Sequence, residues 1–261
     1  MQPSYNNIGI GYNSTRQADS YLSERMFALL GGEKGKQYLD IGCGTGNYTT
    51  VLEKKGLQFT GVDPSEVMLN EARQKSKIIN WLQGTAENIP CKDESFDGAL
   101  GSLTLHHWKN VGQGFKELFR VLKPKSRLVF FTSLPEQTQN YWLMHYFPKI
   151  IYESSLGLPT LDKLKQCSHD AGFHFIEQEN YFVKEDLKDL FLQSGKHNPE
   201  LYFNQNVRKG ISTFALLTNK EEVEAGLKQL RADIDSGKFE SVKKKYDSEI
   251  GDYCFVVFEK K

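Results

Sequence analysis

The stretch QYLDIGCGTGNY, residues 37–48, constrains the fold more than any other part of this sequence. It begins with the short apolar run expected of a strand that is buried on both faces: Tyr38, Leu39 and Ile41. Three glycines then allow positive φ and let a ligand approach the backbone closely: Gly42, Gly44 and Gly46. Thr45 is predicted to cap the helix that follows. We therefore expect a ligand at the carboxyl end of this strand.

The spacing of the glycines and one acid indicate which ligand this is. In the dinucleotide fingerprint the third glycine follows the second by three residues, because a pyrophosphate lies across the helix N-terminus. Here it follows by two, and Asp40 stands immediately before Ile41 and the turn. A carboxylate there repels a pyrophosphate and suits a ligand with positive groups. S-adenosylmethionine carries an ammonium and a sulfonium and no phosphate.

The same stretch resembles motif I of the class I S-adenosylmethionine-dependent methyltransferases. Three later segments stand in the order found in that family: residues 58–63, 83–90 and 96–108. The most similar group is methyltransferase type 11, which includes the ubiquinone and menaquinone biosynthesis methyltransferases. The resemblance is good over residues 36–132, loose over the N-terminus and 133–182, and slight in the remainder.

The resemblance implies an α/β fold with a Rossmann-like, mostly parallel seven-stranded sheet of order 3-2-1-4-5-7-6, whose last strand is antiparallel. Alternating strands and helices up to Thr132 favour the same architecture. Residues 1–32 are predicted to be a cofactor-covering segment and helix. The cofactor-binding core is predicted at 33–183 and 252–261. Residues 184–251 are predicted to form a helical lid, with helices near 185–192, 207–217, 221–236 and 239–250.

The resemblance also implies the cofactor, S-adenosyl-L-methionine, and a set of residues around it. Asp63 accepts both ribose hydroxyls, Thr85 and Ala86 contact the adenine, and an Arg16 fork pairs with the carboxylate. Tyr12 packing on the core and Arg16 as a solvated charge are equally open interpretations. The complete predicted cofactor set is Tyr12, Arg16, Asp40, Gly42, Gly44, Gly46, Asp63, Pro64, Thr85, Ala86, Ser102 and Leu103.

Two histidines, His106 and His107, follow the predicted fourth strand and are the candidate catalytic residues. An imidazole there can take a proton from the acceptor as the methyl group transfers. An in-line displacement at a sulfonium can also proceed mainly through positioning, so a base is optional. Packing against the cofactor or capping the next helix is the alternative, and we place His107 nearer the cofactor.

The predicted acceptor site lies under the lid and takes a small, partly aromatic or apolar molecule. Four residues are predicted to line it: Tyr141, Tyr146, Arg208 and Ser212. The alternative is that the aromatic residues belong to a core and that Arg208 is a solvated charge.

Bulk composition limits the partners. The 33 basic residues balance the 33 acidic residues, so no nucleic-acid partner is expected. The four cysteines are scattered without a C-x-x-C pair, and no metal site is predicted. No stretch is typical of a signal peptide or a membrane span, so we expect a cytoplasmic protein without membrane insertion. Its state as monomer or dimer stays open.

Two other functional classes stay open beside methyl transfer. One is a noncatalytic S-adenosylmethionine-binding module whose lid docks a partner protein. The other is a nicotinamide-dependent oxidoreductase on a similar sheet, which the glycine spacing and Asp40 disfavour.

Overall fold

The computed structural model describes residues 15–216 and 219–261, so Tyr12 lies outside the described residues. The sheet has seven strands: β1 (Gln37–Ile41), β2 (Gln58–Asp63), β3 (Asn80–Gln83), β4 (Phe96–Ser102), β5 (Leu122–Thr132), β6 (Phe173–Tyr181) and β7 (Tyr253–Lys260).

The order of the strands is β3-β2-β1-β4-β5-β7-β6. Strands β1 to β5 pair in parallel, and β7 runs antiparallel to both β5 and β6. The predicted fold class and strand order are confirmed. Asp40 pairs with Gly61 on β2 and Leu100 on β4, so the carboxyl ends of β1, β2 and β4 meet at one edge of the sheet.

The helices are α1 (Ser20–Leu30), α2 (Asn47–Glu53), α3 (Glu66–Lys75), α4 (Val111–Val121), α5 (Pro135–Gln139), α6 (Leu143–Tyr146), α7 (Pro148–Leu156), α8 (Leu161–Ala171), α9 (Gln205–Lys209), α10 (Ser212–Leu216), α11 (Lys220–Asp235) and α12 (Phe239–Lys245). Short 3₁₀ turns cover Leu105–His107, Ser194–Lys196 and Pro199–Phe203. None of the helices in the described parts of the chain is long and apolar enough to cross a membrane.

Local capping sets several of these boundaries. Asp19 accepts a hydrogen bond from Leu22 N at the start of α1, and Gly31 ends that helix in the left-handed conformation. Thr45 does not cap α2, contrary to the prediction. The residue at the N-cap is Gly46, and the Thr45 hydroxyl accepts a hydrogen bond from Lys75 Nζ at 2.9 Å instead.

The sheet separates two apolar cores because successive strand residues point to opposite faces. Phe130 of β5 packs with Phe258 on one face, whereas Phe131 packs with Phe255 on the other. Both cores are closed by helices, which leaves the carboxyl edge of the sheet as the place where loops can form a site.

A third apolar core joins residues 141–151 to the region predicted as a lid. Its large side chains are Trp142, Phe147, Tyr202, Phe214 and Phe239. The predicted helix at 185–192 is wrong: this segment consists of turns, a bend and irregular backbone. It buries Asp189 beside Arg16, and Leu190 N donates to Thr15 O at 3.0 Å, contacts that a helix would not allow together. The predicted helix at 207–217 is split into α9 and α10, and α12 ends at Lys245.

Candidate active site

A cavity of about 580 Å³ opens at the carboxyl edge of β1, β2 and β4. One part of its lining, which we call the turn side, lies on the turns and loops after β1 to β4: Asp40, Gly42, Gly44, Asp63, Pro64, Thr85, Ala86, Ser102, Leu103 and their neighbours. The other part, which we call the cap side, follows β5 or belongs to α7 and the segments near α10: Thr132, Ser133, Thr138, Ser154, Leu158, Leu192, Ile211, Ser212, Thr213 and Tyr253.

The three glycines of the turn have different surroundings. All have positive φ: 74° for Gly42, 53° for Gly44 and 71° for Gly46. A Cβ at Gly42 would lie 2.0 Å from Thr104 Oγ1, whereas one at Gly44 would meet no atom within 4 Å. The backbone at Gly44 is therefore open for a ligand. Gly46 lies outside the cavity lining and packs on Trp81, where a Cβ would approach the ring to 2.4 Å. Its contact with a cofactor stays a prediction.

Asp40 is buried at the cavity wall with one carboxylate oxygen lacking a partner. Thr49 Oγ1 donates to Oδ2 at 2.6 Å, and no donor in the described ranges reaches Oδ1. Burial raises the pKa of the Asp40 carboxyl to about 7, the Thr49 hydrogen bond opposes that rise, and the Asp63 charge adds to it. A cation placed at Oδ1 would satisfy this oxygen and favour its charged form.

Asp63, at the end of β2, holds the turn together. Its Oδ2 accepts from Gly44 N at 2.9 Å, and its Oδ1 accepts from Ser65 N at 2.8 Å. Burial raises the pKa of this carboxyl, and the two backbone donors act against the rise. The carboxylate thus faces the cavity in a fixed orientation with lone pairs remaining for further donors.

The loops after β3 and β4 provide the rest of the turn side. Pro64, Thr85, Ala86 and Ser102 line the cavity as predicted from the sequence. Leu103 also lines it and has φ of 51°, a left-handed conformation that is costly for a branched side chain. Its amide donates to Phe131 O at 2.8 Å, and this bond anchors the strained residue beside the cavity.

Both candidate histidines line the cavity, with ring centroids 3.7 Å apart. Burial lowers the pKa of His106 to about 4, and the Arg16 charge adds to that effect. Burial and the neighbouring His106 lower the pKa of His107 still further. Both imidazoles are therefore neutral at pH 7 and can accept a hydrogen bond or a proton, although with little basic strength.

Arg16 lines the cavity and is paired with a residue that the sequence prediction missed. Its Nε donates to Asp189 Oδ1 at 2.5 Å, and its Nη2 donates to Oδ2 at 3.3 Å. The alternative interpretation of Arg16 as a solvated surface charge is wrong, since its side chain is only 14% exposed.

Three of the four predicted acceptor residues do not line the cavity. Tyr141 is buried in the third core, where its hydroxyl lies 2.9 Å from the Tyr202 hydroxyl. Tyr146 donates to Asp233 Oδ2 at 3.1 Å in the same core. The Arg208 guanidinium donates to the Tyr202 carbonyl. Ser212 does line the cavity, on the cap side.

Several lining residues had no signal in the sequence. Thr104 lies against Gly42, and Trp108 Nε1 donates to its hydroxyl at 3.3 Å. Asp189 lies in a segment whose apolar spacing indicated a helix. No cluster of three metal-ligating side chains occurs within residues 15–216 and 219–261.

Comparisons with known proteins agree with this geometry. Residues 39–130 match the family described as Methyltransferase domain. A demethylmenaquinone methyltransferase of Staphylococcus haemolyticus is 31% identical over 172 residues, which cover 56% of this chain and 72% of the relative. A solved structure from Anabaena variabilis, provisionally described as a methyltransferase from an antibiotic biosynthesis pathway, is 32% identical with a TM-score of 0.82. That alignment covers 95% of this chain and 99% of the other.

The chain belongs to the S-adenosylmethionine-dependent methyltransferases.

Not every relative of this methyltransferase is matched over its whole length. A malonyl-(acyl-carrier protein) O-methyltransferase of Pectobacterium atrosepticum is 32% identical over 132 residues, which cover 49% of this chain and 52% of the relative. The chain thus spans about half the length of that relative.

The turn side fits the cofactor of this methyltransferase family. The Asp40 carboxyl at the cavity wall can balance the charge of an ammonium, and the open backbone at Gly44 leaves room for the methionine part. Asp63 and Thr85 line the same cavity, and their contacts with the ribose and the adenine stay predictions.

Proposed function

We propose that this methyltransferase transfers the methyl group of S-adenosylmethionine to a small, partly aromatic or apolar acceptor. The observation that supports the proposal is a single cavity lined both by the turn side, with Asp40 and Asp63, and by the cap side. Such a cavity can hold a cofactor and an acceptor in contact with each other.

The cap side has the composition of a site for an uncharged acceptor. Its lining consists of hydroxyl-bearing and apolar side chains, with no Asp, Glu, Lys or Arg among the ten cap-side residues named above. The residues that the structure does not describe, 1–14 and 217–218, also contain no charged side chain. Apart from Arg16 and Asp189, which line the same cavity and pair with each other, a carboxylate, phosphate or ammonium on the acceptor would find no opposite charge on this side.

The bound sulfonium supplies an electrophilic methyl group, and the protein's task is to hold the acceptor atom in line with it. Ser212 and the paired hydroxyls of Ser154 and Thr213, 2.7 Å apart, can orient a polar group of the acceptor. His106 can receive a proton from that group. Because its pKa is low, positioning supplies more of the rate than proton transfer does.

The test begins with titration calorimetry of S-adenosylmethionine and S-adenosylhomocysteine, with NAD as a control. Turnover is then measured by mass spectrometry on a matched panel of neutral hydroxyarenes, anionic aryl carboxylates and cationic benzylamines. Binding of the first two ligands and methylation of neutral compounds would support the proposal. Binding without turnover, together with a stable protein complex, would favour a noncatalytic module. Absence of binding would contradict the proposed function.

A further inference from the structure

We infer that Asp189 is a positioning residue of the cofactor site, which orients the Arg16 guanidinium toward the carboxylate of the cofactor's amino-acid part. The inference rests on the proposed function, since it requires S-adenosylmethionine to occupy the cavity. It makes the segment 182–193, which contributes nothing to the glycine turn, part of the cofactor site.

The Asp189 carboxylate is enclosed by donors from two distant segments. Arg16 donates to both oxygens, and the Tyr48 hydroxyl donates to Oδ2 at 3.0 Å. The Asp189 side chain is 2% exposed. A carboxylate that binds one edge of a buried guanidinium fixes the plane of that group. The guanidinium of a solvated arginine has no such fixed plane.

The backbone around Arg16 is held as well. Leu190 N donates to Thr15 O at 3.0 Å, and Asn47 Nδ2 donates to Arg16 O at 2.9 Å. Asn47 is the first residue of α2, directly after the glycine turn. Arg16 therefore stands beside the turn, where the amino-acid part of the cofactor is expected.

Charge complementarity identifies the group that Arg16 contacts. The anionic side chains that line the cavity are Asp40, Asp63, Glu66, Glu87 and Asp189. In the described lining only two side chains are permanent cations, Arg16 and Lys109. The backbone of Lys109 is bonded to Glu87, on the loop expected at the adenine. Arg16 is thus the cation placed for a carboxylate near Asp40.

Asp189 engages two of the five N–H donors of the Arg16 guanidinium. It sets the direction of the others and offsets the cost of burying the charge. Without Asp189 the buried guanidinium would turn toward other acceptors, and its alignment with the cofactor carboxylate would be lost.

Two ligands distinguish whether Asp189 orients Arg16 toward the cofactor carboxylate or only stabilises the folded protein. S-adenosylhomocysteine has the amino-acid carboxylate, whereas 5′-methylthioadenosine keeps the adenine, ribose and sulfur and lacks it. Both are titrated into the wild type, Asp189→Asn and Asp186→Asn. Asp186 is a matched control on the same segment, exposed and without a hydrogen bond or ion pair to the described residues.

We expect Asp189→Asn to weaken S-adenosylhomocysteine binding by about tenfold or more. The affinity for 5′-methylthioadenosine should stay unchanged, and Asp186→Asn should change neither.

Equal losses for both ligands, or no loss for either, would overturn the inference while leaving the proposed function intact. Failure of the wild type to bind S-adenosylhomocysteine would instead overturn the proposed function. If Asp189→Asn does not fold, Tyr48→Phe removes one donor to Asp189 and keeps the ring. It should give a smaller loss, about two- to fivefold, again confined to S-adenosylhomocysteine.

Discussion

The Thr49 hydroxyl, on helix α2 directly after the glycine turn, donates a hydrogen bond to Asp40 Oδ2 at 2.6 Å. The bond fixes the carboxylate, whose second oxygen, Oδ1, is buried with no donor from the described residues, and Asp40 lines the cavity. A buried acceptor without a donor costs free energy in the ligand-free protein. The cofactor ammonium can recover that free energy on binding.

The substitution Asp40→Asn should weaken S-adenosylmethionine binding and stabilise the ligand-free protein at alkaline pH. Asn keeps an oxygen for Thr49 and cannot become charged. We expect an affinity loss of at least about tenfold by calorimetry, as for a lost charge-assisted hydrogen bond. We also expect a gain of at least about 1 kcal/mol in the free energy of unfolding at pH 8.

The pH dependence of that stability gain follows from the raised pKa. In the wild type the folded-state pKa of Asp40, about 7, exceeds the unfolded value, so its contribution is fully present at low pH and is lost as the pH rises through 7. The difference between variant and wild type should thus be small at pH 4 and largest at pH 8. A difference that does not depend on pH, in urea unfolding at both pH values, would contradict the assignment.

Cofactor binding should release protons near pH 7. An ammonium at Asp40 favours the ionised carboxylate and lowers its pKa, so binding expels the proton from the fraction that is protonated. The affinity should fall as the pH drops below about 7, by at most about tenfold per pH unit. Calorimetry in buffers of different ionisation enthalpy measures the released protons. Equal apparent enthalpies in all buffers at pH 6.5 would exclude this linkage.

The substitutions Gly42→Ala and Gly44→Ala should differ in whether they lower mainly the stability of the protein or mainly its affinity for the cofactor. Both sites have positive φ, which costs alanine about 1–2 kcal/mol. At Gly42 the new methyl would also collide with Thr104, whereas at Gly44 it would point into open space. We expect Gly42→Ala to lower the melting temperature more. Gly44→Ala should lose cofactor affinity with a smaller change in stability. The reverse order in thermal unfolding would mean that the turn relaxes in the folded protein.

Asp63→Ala should weaken binding of S-adenosylmethionine by about 1–3 kcal/mol, because the ribose hydroxyls would lose their acceptor. The variant should also lose stability, since Gly44 N and Ser65 N lose the same carboxylate. Calorimetry and thermal unfolding measure the two effects separately. An unchanged affinity would remove Asp63 from the ribose site.

His106→Gln should lower kcat by less than about tenfold, since general base catalysis contributes about 100- to 10,000-fold where it is required. At saturating cofactor, kcat should be independent of pH between 6 and 9, because both histidines stay neutral throughout this range. A fall of more than about 100-fold in the variant would assign His106 as an essential base.

The sheet and some of the helix ends, though not the start of α2, could be predicted because local patterns specify them. The side chains of Asp19 and Asn110 each accept a hydrogen bond from the backbone N–H three residues later in the chain. Gly31 ends α1 in the left-handed conformation, which few other residues adopt. The acid at the end of β2 follows directly from the strand pattern. These features depend on neighbours within a few positions, which the sequence displays.

The contacts between segments that are distant in the sequence could not be predicted in the same way. Arg16 and Asp189 are 173 positions apart, and nothing in either local sequence indicates the other. The aromatic residues in and just before α6 have the spacing of a pocket wall and of a core alike, and Tyr141 and Tyr146 proved to be core. The choice depends on Tyr202 and Asp233, which reach them from much later in the chain.

The place of β7 in the sheet has a consequence for synthesis on the ribosome. β7 lies between β5 and β6, which pair with it and not with each other, and residues 182–252 emerge before it does. In a nascent chain that has just completed β6, the edge of β5 and the edge of β6 that later pair with β7 are therefore both unpaired until β7 is synthesised. Such edges recruit other chains, so the growing polypeptide passes through a long interval in which chaperone protection matters most.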